Sequence, residues 1–204
     1  MPRSIHAHRG LAQLSRLVIA DAVMQHPGLG LTQLVEATGL HENTLRDHVR
    51  VLVDEGVLRT ETEHRGTRGR PRIIYFSAVD AGIDNEAVQR RVDEAKRRGD
   101  LLRRVMAIDV GDQDPDAVHQ IDALYEHLED FDFEPEVDDA DLRVDLKPCP
   151  FHNLVDAQPV AVCRVHEQLI REVLQRAGGP IEVDRLLPLV TEHRCSLQLR
   201  LTES

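Results

Sequence analysis

The chain has no tryptophan, and among its 204 residues there are only four phenylalanines and two tyrosines. With 41% of the residues hydrophobic, an ordinary share, the interior must be filled mainly by Leu, Val and Ile. No stretch approaches the roughly 18 consecutive apolar residues of a membrane span. The basic residues near the N-terminus are not followed by an apolar segment, so no signal peptide is expected. Cysteine is scarce as well: three residues are too few, and odd in number, for a disulfide scaffold. No pairing of a nucleophile with a general base stands out. These absences exclude a membrane protein and a disulfide-built secreted domain, and they predict a non-enzymatic protein in a reducing, cytoplasmic setting.

Charge is plentiful but uneven. Residues 1–110 carry 17 Lys and Arg against 15 Asp and Glu, whereas residues 111–204 carry 8 against 21. The overall charge of −11 therefore joins a slightly basic front half to a strongly acidic back half. Binding to nucleic acid needs a local basic surface rather than a basic protein, so the front half is where such a surface belongs.

That half reads as three helices and a hairpin. Leu11, Leu14, Leu17, Val18 and Val23 recur at helical spacing up to His26-Pro27-Gly28. Thr32 is the expected N-cap of a second helix carrying Leu34, Val35 and Ala37, and Thr38-Gly39-Leu40 supplies a tight turn. A third helix is expected over His41–Asp54, with Leu45, Val49, Leu52 and Val53 on one face. Two short helices joined through a glycine turn make a helix-turn-helix. Strands at Val57–Thr62 and Ile73–Phe76, separated by a Gly- and Pro-punctuated loop, add the wing.

With Leu45, Val49 and Leu52 turned inward, the polar residues of the third helix face out. Asn43 and Arg46 have the donors and acceptors to read base edges, Thr44 and Arg50 suit phosphates, and His41 flanks them. Asp47 offsets the arginines, and a solvated polar face is the alternative for this helix alone. The loop tips the balance: Arg65, Arg68, Arg70 and Arg72 fall within eight residues with no acid among them, placing positive charge where a wing meets phosphates or a minor groove.

Beyond the hairpin, a charged helix is expected over Glu86–Ile108, with Gly99 a possible interruption, and another over Pro115–Glu129. The arginines of the first are mixed with Asp93 and Glu94, which suits ion pairs along a dimerisation helix. Asp109, Asp112, Asp114 and Asp116 miss the spacing of a calcium loop. The acidic stretch Glu129–Asp141 reads as a turn or connector. Strands at Leu142–Leu146, Ile181–Val183 and Cys195–Leu201, and a helix over Val160–Ala177, complete the C-terminal region.

All three cysteines lie in that region, each with an imidazole nearby: Cys149 with His152, Cys163 with His166, and Cys195 with His193. Cys163 and His166, three apart on a helix, can address one centre. Thiolates with an imidazole suit Zn²⁺ or an iron–sulfur cluster alike, and the alternative is that the cysteines are small buried hydrophobes.

Gly69-Arg70-Pro71 followed by Tyr75 resembles DeoR/ArsR-like winged-helix repressors. The run Cys149-Pro150-Phe151, Val162-Cys163-Arg164-Val165-His166, Gly178-Gly179 and Cys195 resembles the SufR-type iron–sulfur regulators. The resemblance spans about residues 10–202 and implies a homodimer on a palindromic double-stranded operator, acting as a repressor. It further implies one [4Fe–4S] cluster per subunit held by Cys149, Cys163 and Cys195, with His166 taken as fourth ligand ahead of His152 and His193.

The expected fold class is α+β. A winged helix-turn-helix over residues 1–80 precedes a helical dimerisation region over 81–130 and a small α/β metal- or cluster-binding domain over 131–204. A zinc-stabilised regulator answering another ligand is the first alternative, and a metal-dependent redox enzyme is the alternative of a different class.

Overall fold

The computed structural model describes residues 11, 13–63, 71–78, 86–138, 141–149, 151–155, 157–191 and 194–202. Helices and strands are mixed, as an α+β chain requires, and they fall into two compact units. One groups Ala7–Ile83 with Asn153–Val165; the other groups Asp84–His152 with His166–Ser204.

The first unit begins with helix α1 (Leu14–Gln25), which buries Leu17, Ile19, Ala20 and Val23. A two-residue strand, β1 (Leu29–Gly30), runs straight into helix α2 (Leu31–Thr38). The short strand is absent from the sequence reading because two residues carry no periodicity. Thr32, the expected N-cap, lies within the first turn; Gly30 occupies the cap and its N–H donates to Gln33 Oε1 at 3.0 Å. The absence of a Cβ lets Arg72 lie across this position, since a Cβ would stand 2.2 Å from Arg72 Nε. Helix α2 ends at Gly39 in the left-handed conformation (φ 69°), whose N–H donates to Val35 O at 2.9 Å. Helix α3 (Glu42–Asp54) follows and buries Leu45, Val49 and Leu52. Strands β2 (Leu58–Glu63) and β3 (Arg72–Ser77) pair antiparallel from Leu58↔Ser77 to Glu63↔Arg72, giving a sheet of order β1-β3-β2.

The second unit opens on helix α4 (Glu86–Met106), which runs without a break through Gly99. That glycine makes room instead of interrupting: a Cβ there would stand 2.2 Å from Asp122 Oδ2. The freed space lets Arg103 grip the Asp122 carboxylate with two hydrogen bonds of 2.7 Å. Asp122 belongs to helix α5 (Pro115–Asp130), which starts with Asp114 capping Asp116 N at 2.8 Å and Pro115 in the first turn. The acidic stretch after α5 is not a connector throughout. Strand β4 (Glu134–Asp138) pairs with β5 (Arg143–Lys147), and Phe133 and Pro135 contribute apolar surface among the acids.

The short helix α6 (His152–Val155) and helix α7 (Pro159–Ala177) come next, then β6 (Ile181–Thr191) and β7 (Arg194–Leu201). Strand β6 is far longer than Ile181–Val183, with register shifts that accommodate residues such as Pro188. The sheet is antiparallel in the order β4-β5-β7-β6.

Within this unit Val88, Val92 and Ala95 of α4 meet Ala123 of α5 and Val173 and Ala177 of α7 in one buried cluster. Beside it, the fully buried amide of Gln120 is satisfied at both ends. Its Nε2 donates to Leu174 O (3.0 Å) and Ile181 O (2.9 Å), and its Oε1 accepts from Ile181 N (2.7 Å). One side chain thus ties α5 to the end of α7 and the start of β6. Replacing it with leucine keeps the volume and leaves Leu174 O its bond from Gly178 N, but strands Ile181 N and O, each worth about 1–3 kcal/mol. Gln120→Leu is expected to lose about 3 kcal/mol in denaturant titration.

Candidate nucleic-acid interface

The buried stripe of α3 dictates which of its residues meet solvent. Leu45 and Leu52 are wholly buried and Val49 nearly so, while His41, Glu42, Asn43, Thr44, Arg46, Asp47 and Arg50 are exposed. The five helix residues expected to face DNA therefore lie on one outward surface, starting at the helix N-terminus. His41 is the N-cap, its Nδ1 accepting from Asn43 N at 3.3 Å, which anchors the ring at the positive end of the helix dipole.

The arginines of this face are held loosely. Arg46 is hydrogen-bonded to Glu42 and donates to Asn43 Oδ1 at 3.3 Å, an arrangement that keeps its guanidinium beside the asparagine amide. Arg50 lies 3.8 Å from Asp47, with the two side chains 73% and 75% exposed. Pairs this exposed contribute little to stability, so both guanidiniums can exchange an acid for phosphate or a base edge at small cost. His48, turned toward the fold, has its pKa lowered by burial and by nearby Arg16, so it stays uncharged near neutrality.

Of the wing arginines, Arg65, Arg68 and Arg70 lie outside the described residues. Arg72 is the first residue of β3, half-buried, hydrogen-bonded to Gln33 and 3.9 Å from Glu63. It closes over Gly30 at the start of α2, a fold contact that the simple count of arginines does not reveal. The only hint in the sequence is glycine where a helix cap is needed. Arg59 of β2 also turns inward, stacking 4.5 Å above the Phe76 ring.

The C-terminal candidates are distributed differently. Cys149, just beyond β5, and Cys195, in register with Leu146 on β7, are buried in the second unit; Cys163 on α7 is partly exposed and belongs to the first. None is in a disulfide. Among the described residues, no three His, Cys, Asp or Glu side chains are gathered in a metal-binding arrangement. His193 and the side chain of His152 lie outside the described residues.

His166 is buried in the second unit among aromatic rings that the spacing of cysteines does not point to. Its imidazole stacks on Phe133 (centroids 4.9 Å, 10° between planes) and is flanked by Phe131, Phe151 and His127 at 5.8, 6.1 and 6.2 Å. Three of the chain's four phenylalanines thus enclose one histidine. Its Nε2 is buried with no hydrogen-bond partner among the described residues. Burial pushes its pKa down to about 4, so the imidazole is neutral and its lone pair is available.

Because the unfolded chain protonates this histidine near pH 6.5, metal-free protein gains full stability from its neutral burial above that pH and loses it as pH falls toward 4. His166→Phe is expected to flatten stability over that window by about 3 kcal/mol relative to wild type, read from urea titrations at successive pH values.

Residues 17–62 match the family model of the IclR helix-turn-helix domain. The match covers under a quarter of the 204 residues and runs from within α1 through α2, the Gly39 turn and α3 into β2. No curated protein and no solved structure matches the chain. Among the described residues, no helix is long and apolar enough to cross a membrane. The chain carries an IclR-type helix-turn-helix DNA-binding domain, the module of a winged-helix transcription regulator.

Proposed function

We propose that the protein is a transcriptional repressor that binds a palindromic operator as a homodimer and adjusts that binding through its C-terminal cysteines. The observation that carries the DNA-binding part is the outward polar face of α3, lying inside the matched helix-turn-helix. In this reading Asn43 and Arg46 contact base edges, while His41, Thr44 and Arg50 approach phosphates. Arg65, Arg68 and Arg70 of the wing neutralise the flanking backbone, with Arg72 at its base.

For the signal, Cys149, Cys163 and Cys195 supply thiolates to a [4Fe–4S] cluster and His166 the fourth donor. The support is chemical: three cysteines outside any disulfide, and a neutral imidazole whose Nε2 is buried without a hydrogen-bond partner. When bound, the cluster supplies a redox- and oxygen-sensitive centre whose presence favours one DNA-binding state over another. The same donors suit zinc, which would make the C-terminal region a constitutive structural unit.

Fluorescence anisotropy with a duplex carrying an inverted repeat from upstream of the gene tests the first part. Binding should weaken steeply with salt. Arg46→Ala should lose about 10- to 100-fold in affinity and relax preference at one base position. Arg50→Ala should weaken all duplexes alike and lower the salt slope by about one. Absence of salt-sensitive binding in wild type would overturn the reading. Anaerobic purification followed by iron, acid-labile sulfide and zinc analysis tests the second part. A brown protein whose Cys163→Ser variant loses its iron while keeping the far-UV spectrum supports the cluster; a colourless protein with stoichiometric zinc supports the alternative.

A further inference from the structure

The sequence suggests α4 as a dimerisation helix along its whole length, and packing within the chain divides it. Its first half has already spent its apolar face on Ala123, Val173 and Ala177 through Val88, Val92 and Ala95. The last turns have no such cover. Leu101 is 56% exposed, Leu102 50%, Val105 72% and Met106 65%, and Ile108, just past the helix, is 51% exposed. Five of the eleven large apolar side chains exposed among the described residues therefore fall within eight positions.

The patch is built, not frayed. Ala107 adopts a left-handed conformation (φ 53°), and Ile108 N donates to Arg103 O at 2.9 Å, the closing bond of a helix C-terminus, which folds Ile108 back against the last turn. Arg103 is in turn fixed by Asp122 and Asp100. Scattered exposed apolar residues need no explanation, but a contiguous and anchored cluster marks an interaction surface.

We infer that the C-terminal end of α4, from Leu101 to Ile108, is the two-fold contact with a second copy of this chain. The inference deepens the homodimer part of the proposed function and rests on it for its role on a palindrome. The exposed apolar area favours a second copy as the occupant. At about 100 Å² for each of these side chains, a self-complementary patch removes roughly 1,000 Å² from water over both copies, the lower bound for a specific interface. Isologous contact pairs residue i of one copy with j of the other and j with i, so only residues at the axis meet their own mates. An antiparallel crossing near Val105 sets Leu101 of one copy beside Ile108 of the other.

Sedimentation equilibrium of the full chain over a range of concentrations reads this directly. Wild type should be dimeric, and Val105→Glu should weaken the dimer at least a hundredfold with unchanged far-UV circular dichroism. Val160→Glu, at another exposed apolar site, should leave it intact. Should Val105→Glu misfold, Val105→Cys replaces it: mild oxidation should give a covalent dimer whose peptide map joins residue 105 to residue 105. A monomeric wild type, a Val105→Glu dimer of wild-type strength, or failure to cross-link at 105 would each overturn the inference. A monomeric wild type would also overturn the homodimer part of the proposed function, whereas the other two outcomes leave it standing; DNA binding itself fails separately if wild type shows no salt-sensitive binding to the inverted repeat.

Discussion

Leu45, Val49 and Leu52 are withdrawn from water almost completely, and their burial sets the rotation of α3 about its own axis. At about 1.5–3 kcal/mol for each such side chain, the helix cannot turn to expose a different face without forfeiting most of the energy that docks it. The residues between them are consequently held outward. The Gly39 turn fixes where α3 begins, and the His41 cap fixes its first turn. A DNA-reading surface needs a rigid support beneath mobile polar tips, and this arrangement provides it: anchored leucines below, with Arg46 and Arg50 in weak, exchangeable pairs above.

The same economy of apolar residues shapes the second unit. With no tryptophan and few other aromatics, its helices join through small and aliphatic contacts such as Ala95, Ala123 and Ala177, which permit close approach. Close approach leaves little room for polar groups, so those enclosed must be fully satisfied. Gln120 meets that condition with three bonds to backbone, and Asp122 with the paired bonds from Arg103 that Gly99 makes possible. Aromatic volume is concentrated in one place, around His166. Its buried Nε2 has no hydrogen-bond partner among the described residues, and the surrounding phenylalanines offer it none.

Features that depend on periodicity were legible in the sequence. The three- and four-residue spacing of apolar side chains located α3, α4 and α5, and the alternation from Cys195 to Leu201 located β7. Features that depend on contacts distant in the chain were not. Gly30 caps α2 with its N–H on Gln33 and the guanidinium of residue 72 lying across it, a neighbour that spacing around Thr32 does not reveal. Gly99 reads as a helix interruption until Asp122 is seen beside it. Strand β4 was hidden by its acids, since Glu134, Glu136 and Asp138 have low strand propensity and are tolerated at a sheet edge, where charge discourages further pairing. The aromatic enclosure of His166 draws on Phe131, Phe133 and Phe151 from separate segments; scarcity of phenylalanine was the one clue to their shared location.

Charge pairing gives a separate reason to assign nucleic-acid contact to the front of the chain. All eight basic residues from position 111 onward are committed to acids: Arg143, Lys147, Arg164, Arg171, Arg176, Arg185, Arg194 and Arg200 each form an ion pair. To meet a phosphate, any of them but Arg164, whose partner is Asp21, would have to release a carboxylate into a stretch already carrying 21 acids. For Arg176 that carboxylate is the buried Glu172, and an uncompensated buried charge costs several kcal/mol. Arg50 faces no such penalty, because its partner Asp47 is as well hydrated alone as in the pair. Counterion release on DNA therefore favours the loosely paired cations of α3 over the more numerous acids' partners behind them. The net charge of −11 is compatible with DNA binding because the excess acids lie behind residue 110, while Arg46 and Arg50 of α3 sit in exposed pairs that can be exchanged.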